Sequence, residues 1–109
     1  MSKKLKTDLV MIIWNCAHPD EARTVIKYLL EKRLIACGNI LPGMCSFYEW
    51  EGQSQESHEC QVILKTRPEY FAKIEAVILE KGSYSVPEII QISPTAVHHP
   101  YFKWVQQQT

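Results

Sequence analysis

The stretch from residue 34 to residue 67 constrains the fold more than any other part of the chain. Residues 34–41 have strand composition, and Pro42-Gly43 then sets a residue that cannot donate to a ladder beside one that tolerates unusual dihedrals, which predicts a bulge or bend. Extended pairing resumes over residues 44–50, turns at Glu51-Gly52 and runs back over residues 53–67 as a long hairpin. Within the return strand Cys60, Val62 and Leu64 alternate with Glu59, Gln61 and Lys65, as expected where one sheet face is buried. Ile63 breaks the alternation and predicts partial burial of the other face. Such a strand reaches roughly 45 Å at about 3.3 Å per residue, whereas a domain of this length has a radius of gyration near about 13 Å. The hairpin therefore overhangs its own domain, and its unpaired edges are satisfied most simply by a neighbouring subunit. The plainer alternative is that the arms fray into loops near residues 54–57.

The rest of the chain supplies a domain for this hairpin to leave. Leu9-Val10-Met11-Ile12-Ile13-Trp14 is a continuous apolar run, the pattern of a central strand. Pro19 suits a first helical position and Asp20 and Glu21 complement a helix N-terminus. Ala22, Val25, Ile26, Leu29 and Leu30 follow at the spacing of one apolar helix face, and Lys32 and Arg33 complement its end. Pro68 opens a second helix with Phe71, Ile74, Val77 and Ile78 as its packing stripe and Gly82 placed to end it. Residues 88–92 form a short strand, and Pro100 opens a final helix bearing Tyr101, Trp104 and Val105. The order is βαββαβ plus a terminal helix, which predicts an α+β, ferredoxin-like antiparallel sheet with two helices on one face. With 109 residues the chain makes one domain, residues 1–109, with residues 1–7 expected to be a flexible N-terminus.

Twelve basic residues balance twelve acidic ones, so no net field draws nucleic acid, and no apolar run is long enough to span a membrane. Cys16, Cys37, Cys45 and Cys60 show neither CxxC pairing nor the density of a small secreted scaffold, and are read as reduced thiols of a cytoplasmic protein.

Residues 36–52 read ACGNILPGMCSFYEWEG, residues 64–66 LKT, residues 19–22 PDEA and residues 84–89 YSVPEI. In this order and spacing the motifs resemble the CutA family, proteins linked to divalent-cation tolerance, from the first strand to the final helix. The resemblance implies a tight homotrimer built by strand pairing, with Tyr48 and Trp50 at its interface, and an architectural likeness to the PII signalling proteins. It also implies a pocket near subunit boundaries whose metal ligands correspond to Cys16 and Glu88, with copper the expected ion and no organic cofactor. Where relatives carry a histidine before the Val-Pro-Glu, this chain has Lys81. A protonated lysine has no electron pair to donate and repels a cation, so the site keeps a soft sulfur and a hard oxygen but loses the borderline ligand that copper or zinc favours.

Each candidate has an ordinary structural role as well. Cys16 ends a buried strand, where a cysteine commonly serves as a small inert hydrophobe. Glu88 suits a structural salt bridge, Lys65 a solvated strand edge, and Tyr48, Trp50 and Tyr84 suit packing. Cys37 and Cys45 flank the bulge and lack a second ligand at metal spacing, which favours packing. His58 sits in the polar middle of the hairpin, where exposure is expected, and His98-His99 need not converge on one ion. Two functions compete: a non-catalytic trimeric metal-handling protein, and a PII-like regulatory module holding a small anionic ligand in the intersubunit cleft near Lys65, Lys81 and Tyr84. An enzyme or RNA reader ranks below both, because the chain shows no glycine-rich anion cradle, nucleophile–base pair or RNP-like aromatic motif.

Overall fold

The computed structural model describes residues 9–109; the expectation for residues 1–7 lies outside the described residues. Strand β1 (Val10–Cys16), helix α1 (Pro19–Glu31), strands β2 (Cys37–Trp50) and β3 (Gln53–Thr66), helix α2 (Phe71–Lys81), strand β4 (Ile89–Ile92) and helix α3 (His99–Gln108) follow in the predicted order. The four strands form one antiparallel sheet in the order β2-β3-β1-β4, the ferredoxin-like arrangement.

Helices α1 and α2 cover one face of this sheet. Ile12, Trp14 and Cys16 of β1 and Cys60, Val62 and Leu64 of β3 meet Ala22, Val25 and Leu29 of α1 and Ile74 and Ile78 of α2 in the main core. Each fully buried aliphatic side chain contributes about 1.5–3 kcal/mol through loss of apolar area to water. Leu30 departs from the expected α1 stripe and is exposed, because the stripe is one residue narrower than its spacing suggested. The opposite face carries Met11, Ile13, Ile63, Ile90 and Ile92, which are half-buried or exposed. A second small cluster, Leu9, Ala36 and Val105, seats α3, and Arg33 and Arg67 donate hydrogen bonds to the carbonyls of Gln107 and Gln106 near the end of that helix.

Two backbone details differ from the simple sequence reading. Pro68 opens a single 3-10 turn, Pro68–Tyr70, before α2 begins. Gly82 does end α2, but at a φ of −82°, which any residue adopts. Its role is close approach: an added Cβ would stand 2.7 Å from the Ile78 carbonyl oxygen.

The hairpin is well formed along its whole length. Glu51 and Gly52 both take positive φ, 52° and 78°, between the paired residues Trp50 and Gln53, the two-residue turn whose twist suits flanking strands. The predicted bulge falls between Leu41 and Met44, with Gly43 at φ 76°. Strand β1 pairs with β3 only from Cys60 onwards, so the ribbon of residues 44–50 and 53–59 projects with β2 and β3 as its sole strands. The molecule is accordingly 49 Å long and 27 × 23 Å across.

Candidate functional site

A cavity of about 770 Å³ opens where the ribbon leaves the sheet. Strand periodicity places its lining. Because cross-strand partners share a face, Glu59 lies on the same ribbon face as Ser46, Tyr48 and Trp50, all of which border the cavity. The end of β1 adds Asn15, and the segment before β4 adds Tyr84, Val86 and Glu88.

The polar groups are held by a connected set of hydrogen bonds. Asn15 donates from its side chain to Glu88 Oε1 at 3.1 Å and from its backbone N–H to the Glu88 carbonyl at 3.3 Å, while its Oδ1 accepts from Gln61 Nε2. Glu21 of α1 grips the loop from the other side: its Oε2 accepts the Ser83 backbone N–H at 2.7 Å and its Oε1 the Ser83 hydroxyl at 3.1 Å. Tyr84 follows directly and donates to the Glu59 carboxylate; burial, and then that bond, push its phenol well above the usual tyrosine value. Glu59 is only 8% exposed. The ion pairs found among the described residues, Arg23–Asp20 and Arg67–Glu69, involve neither Glu59 nor Glu88. The cavity thus holds two carboxylates and four aromatic rings, counting Phe47, and no basic side chain lines it.

The sequence-derived candidates divide sharply. Glu88, Tyr84, Tyr48 and Trp50 come together here. Lys65 instead donates to Asn39, and Lys81 lies 4.6 Å above the Tyr28 ring as a cation–π contact. Cys16 is fully buried, its Sγ directed at the His18 carbonyl oxygen at 3.6 Å. Burial, reinforced by Glu21, pushes that thiol up to about 12, so the free thiol stays protonated at neutral pH. Cys37 and Cys45 are not brought together by the bulge: Cys37 meets the Tyr101 hydroxyl, whereas Cys45 is exposed beside His58. Glu59 and Asn15 were missed as site residues. Glu59 reads as one more outward position of an alternating strand, and only its place one residue beyond the last β1 rung at Cys60 could have singled it out.

Among the described residues, no three His, Cys, Asp or Glu side chains as they stand are grouped to hold a metal ion. The donors that line the cavity are oxygens, a set that suits a hard divalent cation with water completing its shell. No helix among the described residues is long and apolar enough to cross a membrane.

Residues 10–108 match the family of the CutA1 divalent ion tolerance protein. The divalent-cation tolerance protein CutA of Pyrococcus horikoshii is 41% identical over 101 residues, which cover 91% of this chain and 98% of that one. Its counterpart from Thermus thermophilus is 36% identical over 81% of this chain and 85% of its own length. The solved Thermus thermophilus structure superposes with a TM-score of 0.89 at 32% identity, covering 93% of this chain and 98% of that one. With its sheet order, its overhanging ribbon and a match that runs from the first strand to the last helix, this chain belongs to the CutA1 divalent ion tolerance family.

Proposed function

We propose that the chain acts as a cytoplasmic homotrimer in divalent-cation tolerance, taking a hard divalent cation at the ribbon-base cavity without catalysing a reaction. The observation that carries this reading is Glu59: a nearly buried carboxylate with a phenol donor, facing a cavity shared with Glu88 and bordered by no basic side chain. Buried carboxylates are paired or coordinate cations, and water or a second subunit would supply the remaining ligands. The cation neutralises Glu59 and Glu88, and Tyr84 and Asn15 hold the two carboxylates in place. An anionic ligand would meet two negative charges here, and Lys65 and Lys81 are engaged elsewhere.

Assembly is supported by the uncovered apolar sheet face, by the unpaired edges of β2 and β4, and by Tyr48 and Trp50, which are 45% and 48% exposed. The four free thiols suit the cytosol. Light scattering should give three times the 12.7 kDa chain mass. Titration calorimetry with Mn²⁺ should show binding that Glu59→Gln and Glu88→Gln each weaken at least about tenfold, as loss of a charged ligand requires. A monomer in solution sinks the assembly; binding unchanged in both variants, or absent in the parent protein, sinks the cation site.

A further inference from the structure

The other ribbon face, which borders the cavity only through Phe47, carries a second and chemically different donor set. Cys45 and His58 are direct cross-strand partners, so both side chains project from one face, and Glu56, two residues from His58, shares it. The Cys45 Sγ lies 3.6 Å from His58 Nδ1 and 4.0 Å from Glu56 Oε2. All three residues are exposed.

The spacing has a specific meaning. A tetrahedral zinc ion with Zn–S near about 2.3 Å and Zn–N near about 2.0 Å separates its sulfur and nitrogen ligands by about 3.5 Å. Cys45 and His58 already stand at that separation, on backbone fixed by the bulge on one side and the Glu51-Gly52 turn on the other. Glu56 Oε2, 4.0 Å from the same sulfur, would need a side-chain rotation to take the third corner, leaving the fourth to water.

We propose that Cys45, His58 and Glu56 form a surface site for a borderline-to-soft divalent cation of the zinc class, distinct from the oxygen-lined cavity. On binding, the thiol proton leaves to solvent as the Zn–S bond forms. The imidazole donates its Nδ1 lone pair and keeps its proton on Nε2, and no electron transfer is involved. The mixed S, N, O set prefers zinc or cobalt over manganese by a wider margin than the all-oxygen set of Glu59 and Glu88.

Cobalt(II) titration of the reduced protein, followed by zinc displacement, tests this directly. One cobalt per chain should bind with a thiolate-to-cobalt charge-transfer absorption, one proton released, and zinc should bleach it. Cys45→Ser should abolish the absorption, His58→Gln should weaken binding at least about tenfold, and Glu56→Gln should weaken it less. Cys37→Ser should leave the spectrum unchanged. Circular dichroism of each variant reports that the fold is retained. An absorption that survives in Cys45→Ser, or none in the parent protein, overturns the proposal. The readout requires a thiolate ligand, so it succeeds or fails independently of manganese binding at Glu59 and Glu88.

Discussion

The body of the molecule and its ribbon are built from the same two strands, yet they satisfy their chemistry in opposite ways. From Cys60 to Thr66, β3 lies between β1 and β2 and alternates fully buried residues with half-buried ones. From Gln53 to His58 the same strand has a single neighbour and is largely exposed, and across from it Phe47 is 72% exposed. The body closes on itself with side chains it already owns, whereas the ribbon presents aromatics, thiol and imidazole to whatever approaches. The buried packing lies in the first region and the exposed side-chain chemistry in the second.

The largest expected effect that tests this division is in the body. Trp14 is among the largest fully buried side chains, and Trp14→Ala should lower unfolding free energy by about 3–5 kcal/mol in urea titrations at fixed protein concentration. A loss below about 1 kcal/mol would mean that the core is not where stability lies.

A smaller effect compares like with like. Thr66 is buried and donates to the Leu34 carbonyl, while Tyr48 on the ribbon shares a hydrogen bond with the Ser57 hydroxyl at 3.1 Å. Thr66→Val should cost about 1–1.5 kcal/mol, because the part-buried Leu34 carbonyl loses its donor to a group of the same shape. Tyr48→Phe removes a bond that water replaces and should stay within about 0.5 kcal/mol. Equal costs would erase the contrast.

A third effect appears only at high pH. Cys16 has its folded value raised to about 12 from 9.0, so its contribution is complete below pH 9.0 and is lost as pH rises towards the folded value. In that window the unfolded chain holds fewer protons, and stability must fall with pH. Denaturation midpoints measured from about pH 8 to about pH 11 should decline, and Cys16→Ala should flatten the decline. Alkylation at neutral pH sharpens the same comparison: exposed Cys45 should react while buried Cys16 does not.

Much of the body was legible from the sequence because its signals are local. The 1–3–4 spacing of Ala22, Val25, Ile26 and Leu29, the alternation through Cys60, Val62 and Leu64, and the Pro-Gly and Glu-Gly breaks each state a backbone geometry without reference to anything distant. The site was legible only in part. Glu88 and Tyr84, singled out by motif, border one cavity, and Tyr48 and Trp50, assigned to a subunit interface, border it too, whereas Lys81, placed by its position in a motif, lies against the Tyr28 ring of another helix. Glu59 was hidden because its importance depends on where β1 stops. The pairing of Cys45 with His58 needs the register of the whole hairpin, which a bulge shifts.

That register also limits how the ribbon can change in length. Its two faces, one bordering the cavity and one bearing Cys45 and His58, are assigned by a period of two. Adding or deleting a single residue between the bulge and the turn would transpose the faces beyond that point, turning aromatic side chains away from the cavity. Lineages that lengthen or trim this arm while retaining both surfaces must therefore do so by even steps on each strand, or place a compensating second bulge.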